Sequence, residues 1–207
     1  MAVYKGNGRL SGKVGSVVFC NWKDIDYIRS LPDPVKRKPS AKEKLNRERF
    51  KLANRLIQSL GEVLRIGFRS APGRGTPLNA ALSDIMKNAI TRNPESITID
   101  YPRLRIASGL LQGPQNVKAT RNENDIIFTW DDNSSTGDAA FEDQALLVAV
   151  SDYGKFLFSD EEFTRNQCKG KLELKGHDAT IQHWHCYLAF LSVNKHDAST
   201  SIYAGLV

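Results

Sequence analysis

Residues 6–30 read "GNGRLSGKVGSVVFCNWKDIDYIRS". Three readings compete for this stretch: a phosphate cradle, a targeting signal and a structural arm. A cradle needs G-x-x-x-x-G-K-[ST], because backbone N–H groups wrap the phosphates and the hydroxyl reaches magnesium. Here Val14 follows Gly12-Lys13, and Asn7 stands where the first glycine belongs. The text that follows, "VGSVVFCNW", has strand composition, whereas a cradle leads into a helix. A secretory signal needs a longer apolar core, and Lys23, Asp24 and Asp26 interrupt this one. The stretch therefore predicts an arm of two short strands, "KVGSVVF" and "DYIRS", with turn residues in "NWKDID" between them. Val17, Phe19, Trp22, Tyr27 and Ile28 are the expected apolar anchors of that arm, and Arg29 is a charged contact beside them.

Working outward, "LPDPVKRKPS" (31–40) carries three prolines, which remove donors and fix φ. It reads as an extended linker with a basic knot, Lys36-Arg37-Lys38. Ser40-Ala41-Lys42-Glu43 is a capping box, and Leu45, Leu52, Leu56, Leu60, Val63 and Leu64 fall on one stripe at helical spacing. Gly67 reads as the stop. The opposite face is cationic, with Lys42, Lys44, Arg47, Arg49, Lys51 and Arg55. A second helix starts at Thr76 with Pro77 in its first position. Leu78, Leu82, Ile85 and Ala89 form its stripe, and Pro94 lies beyond its end. "SITIDYPRLRIASGLL" then bridges to the second half as extended chain.

From residue 114 the apolar period becomes two, with seven expected strands: "NVKAT", "DIIFTW", "ALLVAVS", "KFLFS", "GKLELK", "HWHCYLAFLSV" and "STSIYAGLV". The expected fold class is α+β in two parts. An N-terminal β-arm (1–39) and a helical hairpin with its connector (40–113) precede a seven-stranded β-sandwich (114–207). Trp130, Tyr187 and the final "SIYAGLV" resemble the fibronectin type III or immunoglobulin-like sandwich, a scaffold that implies no chemistry by itself.

Chemistry-bearing residues are sparse. His183-Trp184-His185-Cys186 has metal-ligand types, but no C-x₂-C or H-x₃-H pair accompanies it. Alternation predicts both histidines on a solvent face, with Trp184 and Cys186 in the core. Adjacent His185 and Cys186 diverge in a strand and cannot act as a nucleophile pair. No G-x-S-x-G elbow occurs, and the acid pairs Asp131-Asp132 and Glu161-Glu162 sit in turn-rich text. The expectation is a protein without catalytic residues, cofactor, metal or small-molecule substrate. Three cysteines without framework spacing point to a reduced, cytoplasmic protein, and no run approaches a membrane span.

Charge is polarised. Residues 1–100 hold 19 Lys and Arg against 9 Asp and Glu, while residues 101–207 hold 10 against 14. Such a chain suits head-to-tail contact with its own copies, or an anionic partner such as nucleic acid on the basic first half. Arg37, Arg47 and Arg49 join Arg29 as the expected charged contacts.

"GRLSGKVGSVVFCNWKDIDYIRSLP", "NRERFKLANRLI", "TPLNAAL" and "IDYPRLRIASGLL" together resemble a family of uncharacterised proteins of similar length found mainly in Bacteroidota. Asp24-Ile25-Asp26 and Lys44 depart from that family's usual residues, and the resemblance brings no function or site residue with it. The Gly-rich strand, the linker and the Arg-rich helix are also similar to small phage-derived structural proteins. The sequence thus leads to a non-enzymatic assembly protein, a homo-oligomer or subunit of a phage-like particle. Its alternative is a cytosolic polyanion binder using the 36–55 segment.

Overall fold

The N-terminal strands form where β-branched and aromatic residues crowd between short turns. In the computed structural model, which describes residues 2–5, 9–22, 25–33, 37–71, 75–91, 96–159 and 163–207, they make an antiparallel meander. Its strands are β1 (Ala2–Lys5), β2 (Arg9–Val14), β3 (Val17–Trp22) and β4 (Ile25–Ser30), side by side in that order. The expected pair of strands is the β3–β4 half of this sheet. Gly15 takes φ +58° in the two-residue loop between β2 and β3, a conformation that glycine reaches without a Cβ clash. Gly6, Gly8, Lys36, Pro94 and the pair Glu161-Glu162 lie outside the described residues.

The chain divides into two units, Met1–Ser40 and Ala41–Val207. The second unit opens with α1 (Ala41–Gly67), whose stripe Ala53, Leu56, Leu60, Val63 and Leu64 is buried. Gly67 ends the helix for a reason beyond helix stopping. A Cβ there would stand 2.3 Å from the Ile106 carbonyl oxygen, so only glycine admits the connector this close. α2 (Pro77–Asp84) begins as expected: the Thr76 hydroxyl accepts from the Asn79 N–H at 3.3 Å, and Pro77 takes the first position. One π-turn, Ile85–Ala89, extends α2 and leads to a bridge between Ile90 and Ile99.

The remaining chain builds two antiparallel sheets. β5 (Lys118–Arg121), β6 (Asp125–Thr129) and β10 (Lys169–Glu173) form one, in the order β10-β6-β5. The other has the order β12-β11-β7-β8, with β9 also paired to β7. Its strands are β7 (Gln144–Ser151), β8 (Phe156–Phe158), β9 (Phe163–Thr164), β11 (Trp184–Leu191) and β12 (Ile202–Leu206). The fold is thus mixed α+β, with eight strands among the described residues of this region where seven are expected; two-residue β9 is too short to leave a periodic signal.

Period-two patterning holds for β6 and β10, whose residues alternate between buried and less buried. It fails for β7 and β11, which are buried along nearly their whole length. The cause is that both faces of the larger sheet are covered. Leu147 and Ala149 join Trp184, Cys186, Leu188 and Phe190 in a core shared with Ile126, Phe128 and Leu172 of the smaller sheet. Leu146, Val148, Val150, Tyr187 and Ala189 point the other way, into a core shared with α1 and α2. A strand covered on both sides reads as a continuous apolar run. The boundary expected near residue 113 consequently falls inside the second unit, where helices and strands share one core. The connector is part of it: Ile106 and Ala107 are fully buried, and the Ile106 N–H donates to the Ser201 hydroxyl at 3.0 Å.

Candidate functional site

The arm residues singled out from sequence separate onto two faces. Register pairs Val17 with Ser30, Phe19 with Ile28, and Cys20 with Tyr27. Val17, Phe19 and Ile28 therefore share one face of the sheet, with Leu10 and Val14 of β2 extending it. Trp22, Ile25, Tyr27 and Arg29 share the other with Val18 and Cys20. The Arg29 Nε–H donates to the Cys20 sulfur at 3.4 Å, and that contact raises the guanidinium pKa further. Both faces carry apolar side chains, with Asn21, Asp26 and Ser30 among them on the first and Lys13 and Arg29 on the second. Among the described residues of this unit none is buried; Trp22 is 43% exposed, Ile25 60%, Tyr27 46% and Ile28 61%. Seven of the fourteen large exposed apolar residues among those described lie before residue 32.

The cationic face of α1 is smaller than its sequence suggests. Lys42, Lys44, Arg47, Lys51 and Arg55 are exposed, as is Arg37 before the helix. Arg49 is only 8% exposed, and its Nη2 donates to the Met86 carbonyl at 2.6 Å. It belongs to the packing between the helices and is no surface contact. Its position explains this: it stands four residues from both Leu45 and Ala53, on the apolar stripe itself.

A polar cluster that sequence reasoning missed lies at one end of the larger sheet. His185 is 9% exposed, not on a solvent face. Its ring lies on Tyr101 with centroids 3.7 Å apart and planes 7° from parallel. Its Nδ1 is 2.9 Å from the Tyr203 hydroxyl and its Nε2 is 3.0 Å from Asp152 Oδ1. The Tyr187 hydroxyl donates to the Tyr101 carbonyl at 2.8 Å. Burial first, and then neighbouring negative charge, raises the pKa of Tyr101 and Tyr203; burial first raises that of Tyr187, so all three keep their protons at neutral pH. His183 is the exposed one of the pair, with its Nδ1 3.4 Å from the other oxygen of Asp152. Trp184 and Cys186 fill the core as expected, and burial pushes the Cys186 thiol up to about 12.

Two open grooves flank Asp152. One, of about 520 Å³, runs between α1 and the turn after β7, lined by Leu52, Arg55, Leu56, Tyr101 and Tyr153. The other, of about 630 Å³, is lined by Lys155, His177, Thr180 and His183. The arrangement at His185 is one of fastening rather than proton transfer to a ligand. Both ring nitrogens are engaged and one ring face is covered, so no lone pair is presented to either groove. Among the described residues no three His, Cys, Asp or Glu side chains gather as metal ligands, and no helix is long and apolar enough to cross a membrane.

The chain thus has an exposed four-stranded sheet and a cored α+β unit. It belongs to DUF6266, a family of unknown function, whose match spans residues 9–205. No curated protein matches the chain.

Proposed function

We propose that this chain is a non-enzymatic structural protein that assembles with its own copies through the N-terminal sheet. The observation that carries this reading is the sheet of the Met1–Ser40 unit, which exposes large apolar side chains on both faces and has no buried residue among those described. Large apolar side chains left exposed on a sheet mark a contact surface. In this reading Val17, Phe19, Trp22, Tyr27 and Ile28 are the anchors of the sheet, and Arg29, Arg37 and Arg47 each make charged contacts with neighbouring copies. The two-sheet C-terminal part serves as a fibronectin-like spacer within a phage-like particle, in a family centred on Bacteroidota. The protein is made in the cytoplasm.

Molar mass by light scattering tests the reading, with the full chain beside residues 41–207. An assembly that falls to monomer when the sheet is removed supports it. A full-length monomer at every concentration sinks it.

A second reading rests on the exposed Lys42, Lys44, Arg47, Lys51 and Arg55 along α1, which suit a polyanion such as nucleic acid. Its signature is affinity for a random duplex that falls steeply as salt rises. Affinity independent of salt, or none, rejects it.

A further inference from the structure

β4 ends the N-terminal sheet, and its six residues are all exposed. An edge of this kind is a template for another strand. The backbone alternation of this edge is fixed by one contact: the Leu31 N–H donates inward to the Ser16 carbonyl at 2.7 Å. Residues of odd number in β4 therefore turn their backbone groups toward β3, and Ile28 and Ser30 turn theirs toward the open edge.

We infer that β4 pairs antiparallel with β4 of a second copy about a twofold axis at Ile28, joining two four-stranded sheets into one of eight. The inference rests on the assembly reading above and names its contact. A twofold normal to the sheet keeps each face continuous, so residues standing opposite must share parity, and the axis must pass through a residue facing its own mate.

Charge then selects among the registers. An axis at Asp26 or Arg29 sets like charges directly across. An axis at Tyr27 sets Asp26 against the partner's Ile28 and Ile25 against the partner's Arg29, leaving both charges on apolar neighbours. Axes at Ile25 or Ser30 leave one residue of β4 paired. With the axis at Ile28, that residue meets its own mate, both with backbone groups facing outward. Tyr27 then lies across from the partner's Arg29, whose guanidinium meets the ring as a cation–π pair once it turns from the Cys20 sulfur. Ile25, 60% exposed, covers the partner's Leu31, which is 39% exposed. No like charges oppose one another. The occupant is a second copy rather than another strand because this complementarity is of β4 to itself.

The test is a pair of cysteine variants of the full chain, in a Cys20→Ser background, oxidised mildly and run on a non-reducing gel beside light scattering. In Ile28→Cys the two sulfurs belong to directly opposed residues with Cα atoms about 5.5 Å apart, within disulfide reach. In Asp26→Cys the two copies of residue 26 are offset by four positions, roughly 13 Å, beyond reach. The expected result is a covalent dimer for Ile28→Cys and none for Asp26→Cys. A chain that assembles in solution while Ile28→Cys stays uncrosslinked, or while Asp26→Cys crosslinks equally, overturns the register and leaves the assembly reading standing. A monomeric full chain overturns both.

Discussion

The imidazole of His185 lies flat on the ring of Tyr101, 3.7 Å between centroids, while its two nitrogens hold Tyr203 and Asp152. One side chain thereby ties β11 to β12, to the turn after β7 and to the connector that precedes the sheets. Four segments distant in sequence meet on it, and the chain has no other polar group so placed among the described residues of that sheet.

His185→Leu keeps the volume but takes the imidazole from the Tyr203 hydroxyl and leaves Asp152 with His183 alone of its two histidines. The expected loss is about 1–3 kcal/mol, the cost of stranding partly buried polar groups. His183→Leu, at a side chain 59% exposed, should change stability by no more than about 0.5 kcal/mol. Urea denaturation separates them; equal effects would show that the fastening role is misassigned.

Arg165 is the second such fastener. It is fully buried, donates to Asp143 Oδ2 from Nε at 3.1 Å and Nη2 at 2.9 Å, and to Asn133 Oδ1 at 2.7 Å. Its guanidinium lies 3.9 Å above the Phe190 ring. Arg165→Met leaves the buried Asp143 carboxylate with only the Ala140 N–H and no counter-charge, a loss of about 3–5 kcal/mol. Arg165→Lys should recover little, because a point charge cannot span acceptors arranged for a planar fork. Arg165→Met with Asp143→Asn should recover part of the loss, since the stranded charge is gone. Midpoints of chemical unfolding order the three; a lysine variant as stable as the parent would remove the geometric argument.

Cys186 gives a pH dependence with a definite sign. Burial raises its thiol from 9.0 to about 12, so the folded state holds the proton more tightly than the unfolded chain does. That contribution is present in full below pH 9 and is lost as pH rises toward 12. Tyr187, raised for the same reason, adds to the loss above pH 10. Denaturation midpoints should fall from pH 9 upward, and Cys186→Val should flatten the first part of the fall. Iodoacetamide at pH 8 should leave Cys186 unlabelled until the protein unfolds. Labelling of the folded chain at that position would contradict its burial.

What the sequence carried was the local pattern. Alternation in "DIIFTW" and "GKLELK", the Thr76-Pro77 start and the leucine stripe of α1 are each set by neighbours in the chain, and each has its counterpart in the structure. What it did not carry depends on distant packing. His185 sits inside "WHCYLAFL", and that unbroken apolar run was the available sign that both faces are covered. Tyr101 and Asp152 lie 84 and 33 positions away in the chain, and no local spacing announces them. The N-terminal meander was half legible, since only its β3–β4 half has strong strand composition.

Arg49 shows where residue type and spacing disagree, and spacing decides. Its cationic head suggests solvent, yet four residues either side stand Leu45 and Ala53, and the helix turns it inward. There its Nη2 supplies the Met86 carbonyl, which lies within the π-turn Ile85–Ala89. A π-turn displaces the regular helical hydrogen bonds, so an outside donor has a place to act. Arg49→Met fills the same space without that donor and should cost about 1–3 kcal/mol. Arg47→Met and Lys51→Met, both exposed, should stay within about 0.5 kcal/mol. Polyanion affinity, if the cationic face of α1 carries any, should show the reverse order. Arg47→Met and Lys51→Met would weaken it and reduce its salt slope, while Arg49→Met would leave the slope unchanged because its charge faces the second helix. Urea unfolding and a salt titration with random duplex, run on the same three variants, read both scales. An Arg49→Met protein as stable as the parent, with a reduced salt slope, would return this residue to the surface.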